Sequence, residues 1–467
     1  MVFSSAIFIF IFLPFVMISY QFLHKIRTKN IFLLIVSFIF YAFGQLSYIP
    51  LFLFSIFINY AAGRALGTLT NHRRLVVAIS VAANLLVLGI FKYADFVVGT
   101  INDVTNAGLT MPNVILPVGI SFFTFQGMSY VIDAYREPHL SSKSFLKVAL
   151  YIAMFPQLVA GPIVIFSDVA DQIDHRETSP QRSAMGIRRF IVGLSKKLFF
   201  ANTLGAAVDQ IYSLSPDMLD SRLAWMAAIF YATQIYFDFS GYSDMAIGMG
   251  HMFGFTFLEN FNYPYISSSM KEFWRRWHIS LSSWFRSYLY IPLGGNRKGK
   301  LRTVINKLIV FFATGLWHGA SWNFVIWGLW NGLFMILEDI IPAIAKIPKF
   351  IRLIGVLLIT VTGFVVFRAE NLTQAGEILS QMFSFDFTAE AGNVIGGMHL
   401  ALLASCAAAV AATPVSAKLR GFLSAQGRSG IRRAAVGLSY VGAAVMFVLC
   451  IMNLASNSFN PFIYYQF

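Results

Sequence analysis

The sequence is poor in charge and almost free of cysteine. Only 12% of its 467 residues are Asp, Glu, Lys or Arg, whereas a soluble domain carries roughly 25%. The two cysteines, Cys406 and Cys450, stand within apolar runs and form neither a CxxC motif nor a zinc-ligand spacing. This composition excludes an ordinary soluble enzyme, a disordered chain and a disulfide scaffold.

Apolar residues are abundant, at 57% of the chain, and 48 residues are phenylalanine. The 35 Lys and Arg outnumber the 21 Asp and Glu, which gives a net charge of +14. The basic residues form short clusters between apolar runs, as the positive-inside rule expects of cytoplasmic loops. We therefore predict an all-α multi-pass membrane protein that contacts lipid and binds no nucleic acid. Basic loops at 24–29 and 71–74 alternate with uncharged or acidic ones, which places the N-terminus outside the cytoplasm.

The apolar runs predict roughly ten to twelve transmembrane helices, with re-entrant and interfacial helices among them. We expect one domain over 1–467, with N-terminal spans in 1–113, a catalytic core in 114–340 and C-terminal spans in 341–467. A short extramembrane loop is expected at 370–392. The candidate spans are 5–23, 31–46, 48–62, 75–93, 114–130, 145–166, 190–212, 224–249, 304–323, 322–337, 351–367, 397–412 and 434–452.

Between residues 116 and 301 the apolar runs are interrupted by proline, glycine and charged residues, as at 116–119, 155–157 and 160–162. Irregular backbone at membrane depth survives only where protein or a water-filled cavity satisfies its N–H and C=O groups. The middle of the chain is therefore predicted to line a cavity.

His318 stands in an otherwise apolar stretch, unlike most of the eight histidines. An ionisable side chain at membrane depth normally faces a cavity or a partner. Gly315 and Gly319 remove side-chain bulk beside it, which would let a ligand approach, and Trp322 would lie one helical turn further on. A functional histidine and an interfacial histidine beside belt tryptophans fit these residues about equally.

The pattern of residues 271–286 predicts one basic amphipathic helix, of the kind that lies in the membrane interface. His278 borders its apolar stripe and could reach inward, or the helix could be an interfacial anchor only. Arg275 and Arg276 lie off the stripe. The stripe consists of Trp274, Trp277, Leu281 and Trp284.

Two further features each admit two interpretations. The glycine-rich segment 290–302 is rich in basic residues and could bind an anionic phosphate ligand, although a loop touching anionic lipid is favoured. Asp238 and Asp244 lie in an apolar helical region, where carboxylates are either functional or paired. The basic residues nearby are Arg188, Arg189, Lys196 and Lys197.

Three stretches together resemble the membrane-bound O-acyltransferase (MBOAT) family: WRRWHISLS at 274–282, YIPLGGNR at 290–297 and GLWHG at 315–319. Further matching stretches lie at 116–122, 157–162, 238–244, 367–369 and 459–464. The resemblance follows nearly the whole chain. It is nearest to the membrane subunits of bacterial systems that O-acetylate alginate, related polysaccharides or peptidoglycan.

The resemblance implies a ring of membrane helices around a thinned centre with a tunnel. The family's two histidines correspond to His318 and His278. It also implies a bacterial inner-membrane enzyme without a resident cofactor or metal. This enzyme would pass acetyl from cytoplasmic acetyl-CoA to a periplasmic or surface partner of the SGNH-hydrolase type. On the acetyl-CoA side or in the tunnel we expect Arg275, Arg276, Asn296, Arg297, Lys298 and Trp317.

The chemistry of acetyl transfer agrees with these roles, because histidine titrates near neutral pH. His318 could deprotonate an acceptor hydroxyl or carry the acetyl group itself, and His278 could orient a group or relay a proton. Two departures from the branch are Ser287, where an aspartate is usual, and Ile165, where a basic residue is common. Alternatives are a D-alanyl or fatty acyl cargo, or a non-enzymatic transporter, although no paired halves typical of transporters occur.

Overall fold

The computed structural model describes residues 1–158, 161–415 and 429–456, and the side chains of 429–433 are outside this description. Within these ranges the regular structure is helical and contains no strand, which confirms the predicted all-α class. The chain forms two compact units: Met1–Phe190 with Met245–Leu258, and Ile191–Asp244 with Glu259–Phe467. The matching stretch at 459–464, and residues 159 and 160 of the stretch at 157–162, lie outside the described residues.

The first unit contains the N-terminal helices and an aromatic core. Phe8, Phe12, Phe40 and Phe155 are buried and pack ring against ring, with centroids 5.4–6.3 Å apart. The unit's helices are α1 (Leu13–Gln21), α2 (Ile26–Gln45), α3 (Ile49–Thr68), α4 (Arg73–Leu88), α5 (Ala94–Thr105), α6 (Ile120–Arg136), α7 (Phe145–Ala153), α8 (Phe155–Leu158), α9 (Phe166–Asp174) and most of α10 (Pro180–Ser195).

The second unit carries the histidine motifs. Of the three boundaries between the units along the chain, one falls within α10, one within the 32-residue helix α12 and one between Leu258 and Glu259. The helices of this unit, besides the end of α10, are α11 (Asn202–Tyr212), α12 (Ser221–Met252), α13 (Met270–Arg276), α14 (Ile279–Phe285), α15 (Lys300–His318), α16 (Trp322–Ile340), α17 (Lys349–Arg368), α18 (Leu372–Met382), α19 (Ala389–Gly396), α20 (His399–Ala411) and α21 (Ser429–Ser456).

Among the described residues, five helical stretches are long and apolar enough to cross a membrane, or six if the bent pair α19–α20 counts as one span. The five stretches are Ile26–Thr68, Arg73–Thr105, Pro180–Tyr212, Lys349–Arg368 and Ala434–Ser456. They support a multi-pass membrane protein, although they are fewer than the ten to twelve spans predicted from apolar runs.

Several predicted spans are broken or shortened. The stretch 145–166 is not one helix, because α7 ends at Ala153 and Pro156, which has no N–H to donate, stands in the short α8. The span predicted at 114–130 begins only at Ile120, after Gly119 adopts the left-handed φ of 80°. The loop predicted at 370–392 contains α18 and the start of α19.

Helices α15 and α16 form a close-packed hairpin that positions His318. α15 ends at His318 because Gly319 is extended, and α16 begins after Ser321. A Cβ atom on Gly315 would overlap the Phe324 carbonyl oxygen, and one on Gly328 would lie 3.1 Å from the Gly315 Cα. The absence of side chains at Gly315 and Gly328 therefore lets the two backbones approach closely.

Candidate functional site

His278 lies at a break between two short helices. Ser269 caps α13 by accepting a hydrogen bond from the Glu272 N–H at 3.0 Å. α13 ends at Arg276, and His278 itself adopts a left-handed conformation (φ 42°, ψ 56°) before α14 begins at Ile279. The single helix predicted over 271–286 is therefore wrong. The break directs His278 into the protein, where its side chain is 0% exposed.

The aromatic stripe predicted for the membrane interface is buried instead. All four of its members, Trp274, Trp277, Leu281 and Trp284, are buried within the protein. Trp274 packs edge-on against Phe311 and Trp327, with ring centroids 5.3 and 5.9 Å away. The stripe was misassigned because a face that packs on protein and a face that packs on lipid have the same apolar spacing.

His318 ends α15 and lies beside His278. The two imidazole centroids are 6.5 Å apart, although the residues are separated by 40 positions, and His318 is only 4% exposed. Trp317 contacts both rings, at 5.8 Å from His278 and 5.0 Å from His318. The two histidines singled out from the sequence, together with Trp317, therefore form one buried cluster, which we call the histidine site.

Aromatic rings surround the histidine site. Phe239 stands perpendicular to His278 with centroids 4.5 Å apart. Trp327 and Phe367 lie 4.9 and 5.3 Å from His318. A group that reaches both imidazoles must therefore be small, and bulk water is largely excluded from it.

The roles predicted from the sequence for Gly315, Gly319 and Trp322 differ from those in the structure. Gly319 makes room for the Phe324 ring, which a Cβ atom there would overlap, and Gly315 makes room for the backbone of α16. These glycines serve helix packing rather than the approach of a ligand. Trp322 starts α16, is 48% exposed and is not one helical turn beyond His318.

A polar network holds the Nδ1 side of His278. The Asn260 Oδ1 atom lies 3.2 Å from His278 Nδ1 and accepts hydrogen bonds from the N–H and Oγ–H of Ser280 at 3.1 and 2.9 Å. The Asn260 Nδ2–H donates to Ser243 Oγ at 3.2 Å. On the other side of the ring, His278 Nε2 has no hydrogen-bond partner among the described residues.

Burial favours the uncharged form of His278. His278 lies outside the helices long enough to span a membrane, and burial, followed by the nearby His318, holds the pKa of His278 well below its usual range. The neutral imidazole is therefore the form present at neutral pH, and it can accept a proton. Within the described part of the chain no cluster of three or more His, Cys, Asp or Glu residues could hold a metal ion.

The two carboxylates of α12 are paired with lysines. Lys197 Nζ lies 2.6 Å from Asp238 Oδ1, and Lys196 Nζ lies 2.6 Å from Asp244 Oδ2. Of the two interpretations left open by the sequence, the structure supports the ion pairs.

The residues predicted to contact the donor are divided between the histidine site and the protein surface. Trp317 belongs to the site, as described. Arg275 is exposed, and Arg276 pairs with Glu272, with Nη2 3.0 Å from Oε1. The exposed residues Asn296, Arg297 and Lys298 lie in the turn at 291–298, which follows α14 and the π-helical segment Arg286–Tyr290.

This turn is fixed to α15. The side-chain Nδ2–H of the fully buried Asn306 donates to the Gly295 carbonyl at 2.8 Å. Gly294, Gly295 and Gly299 have the positive φ angles of 107°, 55° and 86° that other residues rarely adopt. The basic residues of the turn are thus carried on a defined backbone.

Sequence reasoning missed Asn260, Ser280 and Trp327. Asn260 lies 18 positions before His278 in an irregular segment, and no motif marks it. Trp327 lies on α16, and only the packing of α16 on α15 brings it to His318. One signal was available for Ser280, which stands two residues after His278 inside a matching stretch.

Comparison with known proteins gives a family match and full-length relatives. The pattern of the MBOAT, membrane-bound O-acyltransferase, family matches residues 40–352, which include both site histidines. A probable alginate O-acetylase of Azotobacter vinelandii is 39% identical over 502 residues, covering 100% of both chains.

The names of two other relatives give a different acceptor polymer or a different acyl group. A peptidoglycan O-acetyltransferase of Helicobacter pylori is 35% identical over 420 residues, covering 82% of this chain and 80% of its own. A teichoic acid D-alanyltransferase of Bacillus subtilis is 28% identical over 235 residues, covering 48% of this chain and 59% of its own. The family match and the full-length relative confirm the resemblance noted in the sequence: the chain belongs to the MBOAT family and is a membrane O-acyltransferase.

Proposed function

We propose that this protein transfers acetyl groups from cytoplasmic acetyl-CoA across the bacterial inner membrane for the O-acetylation of an extracytoplasmic polysaccharide, such as an alginate-like polymer or peptidoglycan. The observation that carries the proposal is the pair of buried imidazoles 6.5 Å apart within aromatic walls. Full-length similarity to a probable alginate O-acetylase supports the acetyl cargo.

Two balanced routes use the histidine site. In the first, His318 takes the proton of an acceptor hydroxyl while the oxygen attacks the thioester carbonyl, the C–S bond breaks and the departing thiolate takes the proton. In the second, a nitrogen of neutral His318 attacks the carbonyl and releases the thiol, and the acetyl-imidazole then passes its acetyl group to the hydroxyl. In both routes His278 orients a reacting group or relays a proton.

The donor would enter from the cytoplasmic side. Coenzyme A carries phosphate groups, and the exposed residues Arg275, Arg297 and Lys298 supply positive charge for them. A tunnel through the centre of the protein would take the acetyl group to the outer side. There we propose a periplasmic or surface partner of the SGNH-hydrolase type that completes transfer to the polymer.

A comparison of polymer acetylation in cells tests the proposal. Cells lacking the gene would receive the wild type, His318→Ala or the control His139→Ala, which changes an exposed histidine. We expect ester-linked acetyl on the polymer to fall to background with His318→Ala and to stay at the wild-type level with the control. Normal acetylation by His318→Ala, at equal membrane abundance, would refute the role of His318.

The purified protein in lipid nanodiscs separates the remaining alternatives. With acetyl-CoA labelled in the acetyl group, we expect release of the CoA thiol that depends on His318. A non-enzymatic transporter would release no thiol. A D-alanyltransferase would leave acetyl-CoA untouched but consume a D-alanyl thioester. We do not expect this outcome, because the similarity to the D-alanyltransferase is lower.

A further inference from the structure

We propose that Asn260 is a positioning residue that fixes the ring orientation and tautomer of His278, so that Nε2 is the atom of this imidazole that exchanges a proton during acyl transfer. The catalytic part of this inference rests on the proposed function. The tautomer itself is a property of the folded protein and can be measured without any reaction.

The backbone of Ser280 identifies the Asn260 atom that faces His278. A backbone N–H can only donate a hydrogen bond, and the Ser280 N–H points at the side-chain atom Oδ1 of Asn260 at 3.1 Å. This atom is therefore the carbonyl oxygen, which can only accept. The same oxygen lies 3.2 Å from His278 Nδ1, and Ser280 Oγ lies 3.5 Å from that nitrogen. Because the Ser280 hydroxyl donates to Asn260 Oδ1 at the shorter distance of 2.9 Å, the bond between Asn260 and His278 assigns the proton to Nδ1.

Asn260 cannot easily rotate to present its amino group instead. Its Nδ2–H donates to Ser243 Oγ at 3.2 Å, and its backbone carbonyl accepts from the Ile279 N–H at 2.9 Å. A flipped amide would place an NH2 group against the Ser280 N–H, where two donors would face each other. Because Asn260 is 0% exposed, no solvent would replace these bonds.

With the proton on Nδ1, the lone pair of the neutral ring lies on Nε2. This nitrogen is buried and has no hydrogen-bond partner among the described residues. Phe239 holds the ring plane from one side, perpendicular to it at 4.5 Å. The basic nitrogen of His278 therefore has a fixed direction within the histidine site, which is the requirement for proton transfer in a defined geometry.

A neutral amide orients the ring without making it strongly basic. A carboxylate in its place would stabilise the imidazolium and raise the pKa of His278. The other charged groups near His278 are accounted for on each neighbouring helix. His318 is at the end of α15, Asp238 and Asp244 on α12 are paired with lysines, and Glu272 on α13 is paired with Arg276. Glu259, which precedes Asn260 in the chain, is exposed. A new carboxylate at 260 would thus be a buried negative charge beside the ring.

The test compares Asn260→Asp and Asn260→Leu with the wild type in nanodiscs, measuring thiol release from acetyl-CoA between pH 5 and 9. Asn260→Asp keeps the acceptor, and we expect the acid limb of kcat/KM to move up by about 1 unit or more. Asn260→Leu removes the acceptor, and we expect kcat to fall about 10- to 100-fold with KM changed less than twofold. The control Asn84→Leu removes an equally buried asparagine, bonded to Asn59, from the first unit.

A merely structural asparagine would give a different result. In that case Asn260→Asp and Asn84→Leu would lose folded protein or activity to similar degrees, and neither would move the acid limb. An unmoved limb in a folded, active Asn260→Asp variant overturns the proposal. So does an unchanged kcat in folded Asn260→Leu.

A spectroscopic measurement separates this inference from the proposed function. Protein labelled with 15N-histidine in nanodiscs, with His278→Asn to assign the signal, reports which ring nitrogen carries hydrogen. We expect a protonated Nδ1 and an unprotonated Nε2 in the wild type, and loss of this preference in Asn260→Leu. If acetyl-CoA is not consumed at all, the proposed function fails, while this spectrum still decides the tautomer. A protonated Nε2 in the wild type overturns the inference.

Discussion

Lys197 and Asp238 form an ion pair inside the second unit, with Nζ and Oδ1 2.6 Å apart and both side chains 2% exposed. Two charges taken out of water are stable only when each neutralises the other. The pair joins the segment after α10 to the middle of α12, the helix that also carries Phe239 beside His278. It therefore fixes part of the wall of the histidine site.

Removal of one partner of this pair is expected to be costly. Asp238→Leu leaves the Lys197 ammonium buried without its carboxylate, so we expect a loss of about 3 to 5 kcal/mol in the free energy of unfolding. The double change Lys197→Met with Asp238→Leu should recover most of this loss. Thermal unfolding in detergent, followed by tryptophan fluorescence, measures both variants.

The neighbouring ion pair supplies the control for that measurement. Lys196 and Asp244 are also 2.6 Å apart, but Lys196 is 25% exposed. Asp244→Leu therefore leaves an ammonium that water can reach, and it should cost clearly less than Asp238→Leu. Equal losses from the two single changes, or no recovery in the double variant, would contradict the expectation.

The contact between Gly315 and α16 leads to a second expectation. A methyl group at Gly315 would overlap the Phe324 carbonyl, so Gly315→Ala must push α15 and α16 apart. We expect a loss of about 1 to 3 kcal/mol in stability and a fall in activity, because His318 ends α15 one turn further on. Gly355→Ala on α17 is the matched control, since a methyl group there would meet no atom within 4 Å. If the two variants unfold at the same temperature, close packing at Gly315 is not important.

The lowered pKa of His278 determines the expected pH dependence. Burial and His318 disfavour the imidazolium, so His278 stays neutral when the pH falls to about 6.5, where a free imidazole is half protonated. If the neutral ring is the active form, as proposed, activity is full above the lowered pKa and is lost as the pH falls through it. The acid limb of kcat/KM in nanodiscs should therefore lie below pH 6.5. A limb at or above pH 6.5, also present in the control His139→Ala, would contradict a neutral buried His278.

The sequence was sufficient to single out the two histidines that the structure brings together, but not to predict their surroundings. Motif resemblance led to His318 and His278, and the apolar composition led to an all-α membrane protein. The break at His278 was not foreseeable, because a left-handed conformation in a residue other than glycine is imposed by tertiary contacts, here those of Asn260 and Ser280. The spacing of apolar residues in 271–286, taken by itself, favours one continuous helix.

Apolar periodicity also could not tell a protein-facing surface from a lipid-facing one. The residues of α12 from Phe230 to Gly250 are buried almost without exception, and the helix was still counted as a span because its composition is apolar. The same ambiguity placed the buried stripe at Trp274 and Trp277 in the membrane interface. Partner assignment, as for Asp238, required coordinates because the sequence offered four basic candidates.

The anchoring of the basic turn by Asn306 leads to the last expectation. Asn306→Leu keeps the side-chain volume but removes the donor to the Gly295 carbonyl, so the turn that carries Arg297 and Lys298 loses its attachment to α15. If this turn holds the phosphates of acetyl-CoA, KM for acetyl-CoA should rise several-fold while kcat stays within about twofold, since uniform binding is lost and the chemistry is not.

Charge removal on the same turn separates a donor site from a lipid contact. The double variant Arg297→Ala with Lys298→Ala should raise KM for acetyl-CoA, and the increase should shrink at high salt, where the wild-type attraction is itself screened. The control is Lys25→Ala with Arg27→Ala in the first basic loop. Thiol release measured in nanodiscs of neutral lipid removes anionic headgroups from the comparison. An unchanged KM there, with weaker binding only to anionic nanodiscs, would assign the turn to lipid instead of donor.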